Sequence, residues 1–156
     1  MEQNLKSTVF NQIAEVELVY RSKVKPSERP KIVSSKDAYN IFKDTWDENK
    51  IELQEQFKVI LLNKGNKVLG IYEMSTGGMT GTVVDPKLIF VAAIKSGACG
   101  LVLVHNHPSG NLKPSRQDEQ LTIKIKEGAK LLDITLLDHL IISNESYLSM
   151  ADEGII

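Results

Sequence analysis

The feature that most limits what this chain can become is the apolar run Leu101–Val104, which leads without a turn into HNHPSGNLKPSRQD, residues 105–118. Four consecutive apolar residues after Gly100 suit a short central strand buried on both faces, the kind found in the middle of an α/β sheet. Residues two apart in an extended chain point to the same side, so His105 and His107 present two ring nitrogens to one point. Pro108, Gly110 and Pro114 then take the chain around a loop, and Ser115 opens a helix that carries Asp118 one turn inside it. A carboxylate is thereby brought back towards the two imidazoles. Two neutral histidines and one carboxylate are the donor set of a zinc ion that keeps a fourth position for water, and such an ion lowers the pKa of that water towards ~7.

The rest of the chain supplies the elements around this strand. Ile13–Tyr20 partly alternates apolar and polar residues and predicts a half-buried strand, whereas Lys23–Lys31, with two prolines and several charges, predicts an exposed loop. Ser34 and Asp37 form a capping-box pattern before Ala38, Ile41, Phe42 and Trp46, which predicts a helix from 35 to about 48 with Trp46 as its core anchor. Phe57–Leu62 and Lys67–Tyr72 flank NKGN, residues 63–66, and read as a hairpin. Asp85 and Pro86 open a second helix, with Leu88, Val91, Ala92 and Ile94 as its apolar stripe and Gly97 as its stop. The helix begun by Ser115 carries Leu121, Ile125, Ala129 and Leu132 on one side, and Ile134–Leu137 and Leu140–Ile142 read as closing strands. This order argues for one α/β sandwich, a mixed sheet with helices on both sides, rather than two domains.

Composition narrows the function classes. With 156 residues the chain can bury about 70% of the surface its unfolded form exposes, enough for a core without staples. A net charge of −1 gives no global field for nucleic acid or an anionic membrane. Lys23, Lys25, Arg29 and Lys31 form a local basic cluster, read as a solvated loop in preference to a nucleic-acid contact. Cys99 is the single cysteine, which excludes an internal disulfide framework and a cysteine-built zinc site, and it is expected to be a buried small residue. No secretory leader or membrane span is legible, so a cytoplasmic protein with no membrane partner is expected.

Hydrolysis also needs a group that moves protons. Glu52, Glu55 and Glu73 flank the hairpin, and Glu55, just ahead of Phe57, is preferred as general base because a residue at a strand edge is both fixed and wet. Ser115 and Asp118 by themselves spell a capping box, S-x-x-D. The two histidines at strand spacing shift the reading of Asp118 to a ligand, with Ser115 left to cap the helix because Asp118 is not expected to do both. His139 in LDHLII is expected to make a structural hydrogen bond with Asp138 or a backbone carbonyl as its partner, a contact to the metal site being the alternative. The glycine-rich segment Ser75–Gly81 lacks the phosphate-loop lysine and reads as a connection bordering the substrate groove.

The string His105, Asn, His107, seven residues, Ser115, two residues, Asp118 is similar to the JAMM metalloenzyme signature H-x-H-x7-S-x2-D. HNHPSG with PSxxD, together with QEQF ahead of it and LLDHLII after it, resembles the RadC family specifically, over residues 34–150. The resemblance implies a JAB/MPN-like (cytidine deaminase-like) domain over 34–156, and residues 1–33 read as a strand-and-loop extension packed on that domain. It also implies one Zn2+ per chain on His105, His107 and Asp118. Ser115 would bond the oxyanion or the bound water, and Glu55 would act as general acid and base. The implied reaction is cleavage of a peptide or isopeptide bond in a protein or peptide substrate. A DNA-repair role or a metal-dependent nuclease is one alternative, and a non-catalytic interaction module is another. Residues 1–33 lack the paired helices around a glycine turn with which RadC proteins bind DNA. Asp85 stands where many relatives have histidine.

Overall fold

In the computed structural model of the chain, residues 14, 16, 17, 19–78 and 81–156 are described. A capping box at Ser34 and Asp37 starts helix α1, Ser35–Thr45, and Asp47 caps a single further turn, α2, Glu48–Ile51. Strands β1, Gln56–Leu62, and β2, Val68–Thr76, form the expected antiparallel hairpin. Asn63 makes its turn: its side-chain oxygen accepts the amides of Gly65 and Lys67 while Asn66 takes a positive φ of 57°. Helix α3, Pro86–Ser96, follows with Asp85 as its cap and Gly97 at φ 69° as its stop. Strand β3, Gly100–Asn106, helix α4, Arg116–Leu131, and strands β4, Thr135–Ile142, and β5, Tyr147–Ser149, complete the chain.

Among the described residues the sheet has the order β2-β1-β3-β4-β5. All pairings are antiparallel except β3 with β4, whose parallel register requires the crossover that α4 provides. Period-two alternation divides the core into two layers. Phe57, Val59, Leu61, Leu101 and Leu103 face α3 and α4, meeting Ile89, Ala93, Ile125 and Ala129. Ile60, Leu62, Val102, Val104, Leu140 and Ile142 face the other way and meet Ala38, Phe42, Trp46 and Ile51. The structure is thus a mixed α/β sheet with helices on both sides. No helix among the described residues is long and apolar enough to cross a membrane.

Several expectations are corrected. Of Ile13–Tyr20, residues 13, 15 and 18 lie outside the described residues, and Ala14, Val16, Glu17, Val19 and Tyr20 are exposed and form no strand. The first helix ends at Thr45, not 48: Trp46 turns extended and buries its ring against Phe42, and the Asp47 cap restarts helical structure. Helix α3 buries Ile89 and Ala93 and leaves Leu88, Val91 and Ile94 at 44%, 51% and 53% exposure. Residues 88–94 of that helix are apolar without a break, so periodicity cannot fix the buried face. Leu132 follows the last residue of α4 and is exposed, and Cys99 is exposed because the turn after Gly97 directs Ala98 inward instead.

The two closing strands are one. β4 runs unbroken through Asp138 and His139 because both are hydrogen-bonded where they are buried. The Asp138 carboxylate accepts the Ser149 hydroxyl at 2.6 Å and the amides of His139 and Ala151. Strand β2 extends four residues beyond Tyr72, into the glycine-rich segment.

The facing of α3 is tested by a pair of truncations. Ile89→Ala is expected to cost about 2–5 kcal/mol in urea unfolding, and Leu88→Ala no more than about 0.5 kcal/mol. The reverse ranking would place the helix on its other face.

Candidate metal centre

Alternation along β3 decides what each residue of the HNH triplet touches. His105 points towards α4, with its ring stacked on Phe57, and is buried. Asn106 points to the opposite face. The amide of His107 bonds the Ile142 carbonyl at 3.0 Å and extends the ladder with β4 by one residue. The chain then turns at Gly110, whose φ of 80° suits a residue without a side chain, and its amide bonds the His107 carbonyl. After Pro114 the capping box of α4 forms, with the Ser115 amide donating to Asp118 Oδ2 at 2.7 Å and the Asp118 amide donating to Ser115 Oγ at 3.1 Å.

These three segments bring His105, His107 and Asp118 together. His105 Nε2 lies 2.9 Å from His107 Nε2 and 3.3 Å from Asp118 Oδ1, and His107 Nε2 lies 3.7 Å from Asp118 Oδ2. One ligand atom from each residue falls within 4.8 Å of the others, an arrangement that can hold a metal ion. Asp118 both caps its helix and faces the imidazoles, which corrects the expectation that it does only one: Oδ2 takes the amide while Oδ1 faces His105. His107 Nδ1 faces the Asn111 carbonyl, which can only accept. That bond places the ring proton on Nδ1 and leaves Nε2 as a lone pair directed at the centre.

The electrostatics tie the three groups together. Burial alone raises the Asp118 carboxyl, but hydrogen bonds and charge from His105 and His107, with the Ser115 amide, hold it well below the usual carboxylate range. Burial likewise disfavours a charged His107, yet the Asp118 carboxylate, the Asn111 carbonyl and the charge of Glu55 outweigh it and raise the group above its ordinary value.

Of the three candidate bases, Glu55 alone lines the cleft of about 570 Å³ that opens over the centre, shared with Phe57, His107, Ser115 and Asp118. Glu52 faces Asn144 instead, and Glu73 pairs with Lys58 at 3.5 Å. What fixes Glu55 is a residue the sequence reading passed over. Asn106 is fully buried, accepts the Gln56 amide at 2.7 Å and donates to the carbonyls of Ile51 and Gln54 at 2.7 and 2.8 Å. The Glu55 backbone also pairs with Gly77 and Gly78. Gly77 also lets the glycine-rich segment fold closely on itself, because a Cβ there would sit 2.0 Å from the Gly81 carbonyl oxygen. Gly81 and Thr82 reach the cleft, so the glycine-rich segment does border it, with residues 79 and 80 outside the described residues.

His139 does not bond Asp138 or a backbone carbonyl through its ring. Its Nε2 meets His105 Nδ1 at 2.8 Å and its Nδ1 meets Thr122 Oγ1 at 2.6 Å. Thr122 was also missed, although it stands four residues after Asp118 and therefore on the same helix face. Complete burial is the main cause that lowers His139 well below the ordinary histidine value, because it disfavours the charged ring. Asp85 is an exposed cap bonded to the Lys87 amide and does not line the cleft, and the basic cluster at Lys23–Lys31 lies apart from it.

Residues 32–155 match the model of a family described as RadC-like JAB domain. The chain is 48% identical over 125 residues to a UPF0758 protein of Flavobacterium johnsoniae, covering 80% of this chain and 53% of that one. UPF0758 proteins of Clostridium kluyveri and Methanosarcina mazei are 44% identical over 103 residues and 38% identical over 126, covering 66% and 81% of this chain and 45% and 54% of their own. The chain thus spans about half the length of the curated relatives it matches.

The coupling between His107 and Asp118 predicts a pH dependence. A carboxyl lowered on folding stabilises the protein above its unfolded value of 3.8 and loses that contribution as the pH falls; a histidine raised on folding stabilises it below 6.5 and loses that contribution as the pH rises through the folded value. With chelator present, the difference in Tm between the wild type and Asp118→Asn is expected to be largest between pH 3.8 and 6.5 and to shrink on both sides. A difference that does not vary with pH would contradict the pairing.

Proposed function

The chain belongs to the RadC-like JAB domain family, and from that premise we propose that it is a zinc-dependent hydrolase that cleaves a peptide or isopeptide amide bond. The observation that carries the reading is the convergence of His105, His107 and Asp118 on one point in the wall of a cleft that Glu55 and Ser115 also line. The donor set fits zinc: two imidazoles and one carboxylate, with the proton of His107 held away on Nδ1 by the Asn111 carbonyl. When bound there, the ion supplies Lewis acidity and makes a water reactive at neutral pH.

The chain's own residues divide the remaining work. The Glu55 carboxylate takes a proton from the attacking water and returns it to the leaving amine, a shuttle that needs a group both anchored and solvated. The bonds of Asn106 and Gly77 anchor it, and its half-buried position on the cleft keeps it wet. Ser115 Oγ accepts the Asp118 amide, which occupies a lone pair and leaves its hydroxyl hydrogen to donate to the carbonyl oxygen as charge develops there. Phe57, Val84 and Leu121 give the cleft apolar ground against which a substrate chain lies. Among the described residues of the lining the acidic and basic side chains besides His107 are Glu55, Asp118 and Lys113, so these form no basic track of the kind that gathers phosphates, and a polypeptide suits the cleft better than a nucleic acid.

Two substitutions separate binding from chemistry. His107→Ala is expected to lose both zinc and turnover, measured by elemental analysis and a peptide-cleavage screen. Glu55→Gln is expected to keep the zinc and to lose about 10²–10⁴-fold in kcat. Full turnover by His107→Ala, or wild-type protein that holds no zinc, would overturn the proposal.

A further inference from the structure

Behind the ligand cluster runs a buried row of polar atoms that the proposed reaction does not use. Thr122 Oγ1 lies 2.6 Å from the Asp118 carbonyl oxygen and 2.6 Å from His139 Nδ1, and His139 Nε2 lies 2.8 Å from His105 Nδ1. Thr122 and His139 are fully buried and His105 is 1% exposed, so the protons of this row must be shared among its own members. Among the described residues the hydroxyl's other hydrogen-bonding neighbour is the Met150 sulfur at 3.7 Å, a weak acceptor.

Counting donors leaves two arrangements when both rings are neutral. In the first, Thr122 donates to the Asp118 carbonyl and accepts from His139 Nδ1–H, so His139 Nε2 is bare and accepts from His105 Nδ1–H. His105 Nε2 is then a free lone pair facing Asp118 and His107. In the second, Thr122 donates to His139 Nδ1, His139 Nε2–H donates to His105 Nδ1, and His105 Nε2–H faces two acceptors, the His107 Nε2 lone pair 2.9 Å away and Asp118 Oδ1 3.3 Å away. The two hold the same number of protons. They differ by one proton moved from Nε2 to Nδ1 on each ring and by a rotation of one hydroxyl. The first arrangement alone offers His105 as a ligand.

We propose that Thr122 and His139 form a two-state hydrogen-bond relay that sets which nitrogen of His105 carries its proton, and thereby whether His105 can bind a metal. The inference rests on the reading of His105 as a zinc ligand. His139 and Thr122 are positioning residues in it: neither reaches the cleft, and both act through the orientation and tautomer of His105. A threonine hydroxyl suits the end of such a row because it can turn from one acceptor to the other without moving its side chain. The helix supplies the second acceptor four residues back, a bond that threonine makes readily within helices.

The test uses two independent readouts on the intact chain. Long-range 1H–15N NMR of the wild-type imidazoles is expected to show His105 and His139 both protonated at Nε2 without zinc and both at Nδ1 with one equivalent of zinc. Thr122→Val keeps the shape and removes the hydroxyl, and is expected to weaken zinc binding about 10–100-fold in a chelator competition, with Thr122→Ser restoring it. A His139 tautomer that does not change on zinc addition would overturn the relay, as would Thr122→Val binding zinc as tightly as the wild type. A wild type that binds no zinc at all would instead overturn the functional reading, so the two failures are distinguishable.

Discussion

One carboxylate sits where the fold and the centre meet. Asp118 closes the N-terminal capping box of α4 with Ser115, and the same group faces His105 and His107. The helix start and the ligand geometry are therefore a single arrangement. If the capping turn opens, the acid leaves the imidazoles, and if the acid is neutralised, the helix loses a charge-assisted bond at the end where its dipole favours negative charge.

The position of that end follows from the sheet. β3 is paired on both sides, antiparallel with β1 and parallel with β4, so the direction of each of its side chains is set by the whole sheet and not by a loop. Three consecutive residues are used in opposite senses. His105 turns to the α4 face and becomes a candidate ligand. Asn106 turns to the α2 face and ties down the approach to β1, fixing Glu55 from beneath. His107 leaves the strand and meets the returning loop. A slip of one residue in register would exchange these roles and bury a ligand among Val104 and Ile142.

The sequence made the candidate metal centre legible because its requirements are local. Strand spacing of two histidines, a turn, a cap and an acid one turn inside a helix are all short-range patterns, and the structure brings those residues together as they imply. The hairpin and the caps at Ser34, Asp85 and Gly97 were legible for the same reason. What escaped depends on partners distant in sequence. The buried face of α3 is chosen by the sheet, since its own residues are apolar all around. Asn106 and Thr122 look unremarkable until their partners at Ile51, Gln54 and His139 are in place. β4 appeared as two strands because Asp138 and His139 read as a polar break, and the hydroxyls of Ser149 and Thr122, the amides of His139 and Ala151 and the ring of His105 make that pair tolerable inside a sheet.

Burial grades the site from a dry end to a wet one, and this grading separates holding from moving. His139, Thr122 and His105 are enclosed, where a hydrogen bond is electrostatically strong and an unpaired polar atom is costly, so that end favours fixed and fully paired geometry. His107, Asp118 and Glu55 are partly exposed at the cleft, where charge is better tolerated and protons can exchange with water. A centre enclosed on all sides would hold its side chains well but leave no route for water or a bound molecule. A centre on the open surface would lose the orientation of its imidazoles to side-chain entropy. Placing the ligands at the end of a doubly paired strand, with a buried polar row behind and a cleft in front, meets both demands with one stretch of chain.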